Sequence, residues 1–193
     1  IGVSALITLL GAYGISRIVV DTYSIDFFKA SNPVRIDSDA IEASYGRYMP
    51  LEFAVTAPKS LEAGVQEPEF LEALAAWQAE AKAKDLAGWS SSIADVVARL
   101  NQVLRDGGPE DRVVPKTAGA VAQAMLMYES QPGAERLSLT DPSYRVARVT
   151  FGVPMTSANE WAKLITALET LARKHLPEGA RLERGGYLPL YVR

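Results

Sequence analysis

The first fifteen residues, IGVSALITLLGAYGI, carry no charged side chain, and this run constrains the fold more than any other segment. An apolar run that stops at Arg17 is typical of a transmembrane helix leaving the bilayer. A full span needs about 20 apolar residues, so residues 1–16 are predicted to be the C-terminal part of such a helix. Two alternatives stay open: a signal-like segment, although the positive leader and the small-residue cleavage site are missing, or a buried helix of a soluble protein.

Composition excludes several classes of protein. The 193 residues suffice for one domain of ordinary size, and the net charge of −3 comes from mixed signs without a basic patch, so nucleic acid is not an expected partner. Cysteine is absent, which excludes disulfides and thiolate metal sites. The single histidine, His175, would have to serve any Ser-His-Asp triad.

Hydrophobic periodicity predicts the helices. The spacing of apolar residues and the capping and stop signals indicate helices over residues 36–45, 67–84, 92–104, 115–129 and 157–175. Asp37 or Ser38 is the expected cap of the first of these helices. Ser92 with Asp95, and Ser157 with Glu160, have the spacing of capping boxes.

Apolar and β-branched runs predict the strands, at residues 51–57, 86–91, 135–140, 144–154 and 180–185, with an extended stretch over 17–28. When a helical insertion at 92–131 is set aside, the order of the main elements is βαββαβ. That order predicts an α+β domain of the ferredoxin-like, split βαβ type, with helices on one face of an antiparallel sheet. The predicted organisation is a membrane-helix end at 1–16, an extended connection and short helix at 17–47, and the domain proper at 48–193.

One stretch of the chain resembles a known family. The string VDTYSIDFFKASNPVRIDSDAIEASYGRYMPLEFAV at residues 20–55 resembles the start of the first large extracytoplasmic loop of resistance–nodulation–division exporters. Within that superfamily it is most similar to the hydrophobe/amphiphile efflux branch, which is related to mycobacterial membrane protein large transporters and to hopanoid transporters. The matching features are Val20-Asp21-Thr22, Phe27-Phe28, Pro33, Arg35, Asp37, Gly46 and the apolar exit at 185–192. Tyr23 and Arg47 depart from the family pattern.

The resemblance implies a porter-type domain in the periplasm of a bacterium, attached to the inner membrane. It implies transport of a hydrophobic or amphiphilic small molecule or lipid, driven by protons. The expected partners are that molecule, the membrane-embedded remainder of the same polypeptide and a second porter domain. No enzyme activity, cofactor or metal is expected, and no catalytic or substrate-binding residue can be carried over, because the proton-coupling residues of the family lie in membrane helices outside this chain.

Four sets of residues could carry chemistry, and each has a structural explanation. The carboxylates Asp21, Asp26, Asp37, Asp39 and Glu42 could bind a cation but lack calcium-loop spacing. The run Ser90-Ser91-Ser92 has no nucleophile elbow around it, and His175 suits the last turn of a helix. The pairs Gly107-Gly108 and Gly185-Gly186 are interpreted as turns.

Residues 117–128 (TAGAVAQAMLMY) contain no charge, and apolar residues cover every side of the predicted helix. Such a helix is either buried on several sides or faces an apolar partner, here a path for apolar molecules or the second porter domain. On the second interpretation, Met127→Glu impairs export without unfolding the domain.

Two other functions stay open. One is a ligand-binding module of a singly membrane-anchored sensor or binding protein. The other is a small secreted hydrolase, which the single histidine and the lack of a nucleophile or metal motif disfavour.

Overall fold

The structure, a computed structural model, describes residues 2–17, 21, 23–130 and 139–192, with the backbone alone for 4–7, 16 and 24. It is an α+β fold, as predicted, with a four-stranded antiparallel sheet. The strands are β1 (Met49–Thr56), β2 (Trp89–Ser91), β3 (Val146–Val153) and β4 (Arg181–Gly185). The helices are α1 (Gly2–Ser16), α2 (Pro33–Tyr45), α3 (Pro68–Ala83), α4 (Ile93–Leu104), α5 (Ala118–Glu129) and α6 (Ala158–His175).

The strands lie in the order β2-β3-β1-β4, and each neighbouring pair is antiparallel. Phe53 of β1 stands opposite Val149 of β3 on one side and Arg184 of β4 on the other. Helix α3 connects β1 to β2, and α6 connects β3 to β4, whereas α4 and α5 both fall between β2 and β3. The sequence order of strands therefore differs from their order in the sheet, and long-range pairing through β1 and β3 holds the domain together.

Trp77 of α3 is at the centre of the core. Its ring lies edge-on to Phe53 at 5.4 Å and to Phe151 at 4.9 Å, measured between centroids. Its Nε1 donates to the carbonyl of Leu168 in α6 at 2.9 Å. Because β1 buries alternate residues, these contacts place α3 and α6 on the same face of the sheet.

The opposite face of the sheet carries polar and small residues. Glu52 and Arg148 form an ion pair there at 3.7 Å. The indole of Trp89 lies over Gly152 and donates to the carbonyl of Arg47 at 2.8 Å. A Cβ on Gly152 would collide with that indole, which explains a glycine inside a central strand.

Three boundary predictions were wrong. Helix α2 begins at Pro33, because Asn32 accepts a hydrogen bond from the backbone N–H of Val34 at 2.9 Å, so neither Asp37 nor Ser38 is the cap. A 3₁₀ turn at Ser24–Phe27 interrupts the stretch expected to be extended. The strand predicted at 86–91 is only Trp89–Ser91, because the end of α3 uses Asp85 in a left-handed conformation (φ 56°) and the Leu86 N–H bonded to the carbonyl of Ala81.

The described side chains of α1 are exposed to solvent and take no part in the core. In the part of the chain that the structure describes, no helix combines the length and apolarity needed to cross a membrane. Of the strand predicted at 135–140, residues 135–138 lie outside the described residues. Thr140 makes an isolated bridge with Ala147.

We expect Trp77→Ala to cost about 3–5 kcal/mol of unfolding free energy, because it removes the ring that Phe53 and Phe151 contact and leaves a cavity. The matched control is Trp89→Ala, since Trp89 is 41% exposed. Urea denaturation measures both variants. A loss for Trp77→Ala no larger than that for Trp89→Ala would contradict the central place of Trp77.

Candidate functional site

A groove of about 650 Å³ lies among α3, α4, the start of α5 and the loop at 105–117. Small side chains create it, since Ala75, Ala94, Ala98 and Ala120 line it from three different helices. Their methyl groups fill little of the space between the helices. The alanines therefore give the groove an apolar floor, which suits an alkyl chain or a flat apolar molecule.

Asn101 of α4 holds the loop that forms one wall. Its Nδ2 donates to the carbonyls of Asp111 and Val113, both at 3.1 Å, and the side chain is buried. Gln102 adds a hydrogen bond from Nε2 to the carbonyl of Gly108 at 2.8 Å. Together with the buried Val114, these contacts fix a loop that has little regular structure of its own.

Charged residues line the rim. The acidic members are Glu72 and Asp95, and the basic members are Arg105, Arg112 and Lys116. Asp95 is engaged in the fold, because its carboxylate accepts from the Ser92 N–H at 2.8 Å and from Gln78 Nε2 at 2.7 Å. Arg105 lies 3.4 Å from Asp111. An apolar floor beneath a charged rim can hold an amphiphile with its tail inside and its head at the edge.

The acidic residues singled out in the sequence bind backbone or basic groups, or lie on α2. Asp21 accepts from the backbone N–H of Asn159 at 3.1 Å, and Asp26 pairs with Arg35 at 3.4 Å. Asp37, Asp39 and Glu42 belong to α2. Burial, followed by the charges of Glu42, Asp26 and Asp39, raises the pKa of Tyr23. Among the described residues, no group of three or more acidic or histidine side chains is placed to hold a metal ion.

The serine run serves the fold. Ser92 caps α4 in the predicted capping box with Asp95, and its Oγ donates to Gln78 Oε1 at 2.7 Å. Ser90 accepts from Gln78 Nε2 at 3.0 Å. Ser157 caps α6 as predicted by accepting from the N–H of Glu160, whose carboxylate also pairs with Lys163.

His175 joins two helices through a carboxylate. Its Nε2 lies 2.6 Å from Glu80 of α3, and the Nζ of Lys174 lies 2.6 Å from the same oxygen. Hydrogen bonds from Lys174 and His175 lower the pKa of Glu80 to about 2. This cluster ties the end of α6 to α3.

Helix α5 is partly buried, which is intermediate between the two interpretations of its sequence. Val121, Met125 and Tyr128 face the core, as their shared face predicted. Leu126 is 66% exposed and Met127 is half-buried, so one apolar side remains available for contact. Gly107 and Gly108 follow α4 outside any helix or strand, as expected. The turn interpretation was wrong for Gly185, which is the last residue of β4, whereas Gly186 follows the strand with φ 75°.

Comparison with known proteins found no matching family model, no matching curated protein and no matching solved structure. The sequence did not reveal the groove because its lining comes from three helices and a loop spread over residues 72–120. The repeat of alanine at Ala94 and Ala98, with Asn101 one turn further on, was the available signal, since these residues share one face of α4.

We expect Asn101→Ala to lower stability by about 1–3 kcal/mol and to release the loop, because two partly buried hydrogen bonds to its carbonyls are lost. Limited trypsin digestion checks this through faster cleavage at Arg105, Arg112 and Lys116. The control is Gln123→Ala, at an exposed position of α5. Equal cleavage of both variants would show that Asn101 does not hold the loop.

The depressed pKa of Glu80 predicts a stability that depends on pH. A carboxylate stabilised in the folded state contributes fully above its unfolded pKa of 4.5, and that contribution is lost as the pH falls toward about 2. Wild type should therefore exceed Glu80→Gln in stability at pH 6, and the gap should close between pH 4.5 and 2. Urea denaturation across this range, with Glu178→Gln as control, measures it; a gap independent of pH would contradict the assignment.

Proposed function

We propose that this chain is an extracytoplasmic substrate-handling domain of a proton-driven membrane exporter of hydrophobic or amphiphilic molecules. The observation that carries the proposal is the groove of about 650 Å³, with its alanine floor and its charged rim. Such a groove shelters an apolar chain, and each methylene removed from water is worth about 0.8 kcal/mol. The domain needs no covalent chemistry for this role.

The N-terminal helix supports a place at a membrane. Residues 2–16 form a helix without a charged side chain, and Val3, Leu9, Leu10, Tyr13 and Ile15 are all more than 60% exposed. Exposure of this apolar surface to water costs free energy, whereas its transfer into lipid is favourable. We therefore propose that α1 is the end of a membrane helix. The protein would lie in the inner membrane, with this domain in the periplasm.

The sheet supports the finer fold proposal. The order β2-β3-β1-β4, with helices connecting β1 to β2 and β3 to β4, is the order expected of a ferredoxin-like, split βαβ domain. The α4–α5 pair then is an insertion into that framework. This arrangement agrees with the resemblance of residues 20–55 to the resistance–nodulation–division exporters, on which the proton-driven transport and the second porter domain rest.

Binding of dodecanoate, a simple amphiphile, tests the proposal by calorimetry below its micelle concentration. Ala120 lines the groove, whereas Ala122 on the same helix is exposed outside it. Ala120→Trp should fill the groove and raise the dissociation constant at least about tenfold, a change of about 1.4 kcal/mol. Ala122→Trp should bind as wild type does.

The two tryptophan variants also control for folding, because both add the same ring to the same helix. Thermal unfolding of each variant establishes that the domain is intact before binding is compared. No measurable binding of dodecanoate to wild type, or equal binding to both variants, would contradict a groove that handles amphiphiles.

A further inference from the structure

A second cavity, of about 250 Å³, lies at the end of the sheet where β1 begins. It is separate from the groove on the helical insertion and shares no residue with it. Its lining is Met49, Met155, Thr156, Ala158, Trp161, Tyr187 and Tyr191. Three aromatic rings and two thioethers therefore surround a space the size of a small headgroup.

The aromatic rings meet at steep angles. The Tyr187 and Tyr191 centroids are 6.4 Å apart with their planes at 89°. The Trp161 and Tyr191 centroids are also 6.4 Å apart, with their planes at 57°. Rings at such angles are not stacked in parallel around the cavity. They therefore do not cover one another fully, and part of their π-faces can contact an occupant.

Hydrogen bonds and burial hold the aromatic residues of the lining in place. Trp161 is buried, and its Nε1 donates to the carbonyl of Pro154 at 3.0 Å. Leu188, fully buried, anchors the 3₁₀ turn Leu188–Tyr191 between the two tyrosines. The hydroxyl of Tyr187 lies 3.6 Å from the sulfur of Met49. Burial raises the pKa of Tyr187, so its ring stays neutral at pH 7.

The lining of the cavity carries no charge, and the carboxylate of Asp21 lies beside it. None of the lining residues is ionised at neutral pH, so the lining itself offers no partner to an anion. The cavity lies beside the first turn of α6, whose positive end would repel a cation. There the carboxylate of Asp21 accepts from the Asn159 N–H at 3.1 Å, next to Ala158 of the lining, and Ser157 Oγ accepts from the Glu160 N–H. Asp21 thereby offsets the positive end of the helix.

We propose that this cavity binds a quaternary ammonium group. Such a group is attracted to π-faces within about 6 Å of a ring centroid and needs no hydrogen bond, which matches a lining of Trp161, Tyr187 and Tyr191. The methionine sulfurs supply polarizable contact to its methyl groups. The inference goes beyond the proposed exporter function and does not rest on it, because it uses other residues and another ligand. The group comes either from a free small molecule or from a lipid headgroup.

Titration with tetramethylammonium, followed by calorimetry and tryptophan fluorescence, tests the site. Tyr191→Phe keeps the ring face and should bind within about twofold of wild type. Tyr191→Leu keeps an apolar wall without the ring and should weaken binding at least about fivefold. Tyr45→Leu, at an exposed tyrosine of α2, is the matched control and should bind as wild type does.

An uncharged ligand with the shape of choline shows whether binding depends on the positive charge. Choline should bind at least about tenfold more tightly than 3,3-dimethylbutan-1-ol, its uncharged carbon analogue. Equal binding of the two, or unchanged binding of tetramethylammonium to Tyr191→Leu, would overturn the proposal. Failure of this test leaves dodecanoate binding at the groove unaffected, so the two proposals fail separately.

The source of the group is distinguished with monomeric ligands. Dihexanoylphosphatidylcholine and phosphocholine share a headgroup, and only the first has acyl chains. Binding of the lipid at least about tenfold more tightly than phosphocholine supports a lipid headgroup, whereas equal affinities support a free small molecule. Absence of binding by both compounds and by choline would contradict the site itself.

Discussion

The contacts of Trp77 determine how much of this chain can enter the core. Its ring fills the space between Phe53 and Phe151, and its N–H reaches Leu168, so sheet, α3 and α6 close around one side chain. Once that core is closed, no place remains in it for α1, whose described side chains are exposed although none is charged. On the proposed function, a lipid bilayer would bury this apolar surface.

The packing of helices and loops around this core also leaves the two cavities. The α4–α5 pair packs against α3, with α4 also contacting β3, and its alanines leave a groove between the helices. The segment that follows β4 lies near Met49, the first residue of β1. There Tyr191 contacts both Tyr187 and Trp161. The first cavity, of about 650 Å³, has an apolar floor and a charged rim, whereas the second, of about 250 Å³, is lined largely by aromatic rings.

The sequence predicted what depends on local periodicity and capping. The α+β class, helix α3 and the capping box of Ser92 with Asp95 are all encoded within a few residues. Contacts between distant residues could not be predicted in this way. Glu80 meets His175 across 95 positions, and Met49 meets Tyr187 across 138, so neither the charge cluster nor the aromatic cavity leaves a local pattern. The cap of α2 was misplaced because Pro33, which fits the first turn of a helix, was left outside the helix predicted at 36–45.

Vesicle flotation tests the central claim that α1 belongs in a membrane. The chain is mixed with vesicles of phosphatidylethanolamine and phosphatidylglycerol, and Leu9→Glu with Leu10→Glu is compared with Val103→Glu and Leu104→Glu, an adjacent exposed apolar pair on α4. We expect wild type and the α4 variant to float with the vesicles and the α1 variant to remain in the dense fraction. Flotation of the α1 variant, or sedimentation of wild type, would contradict the account.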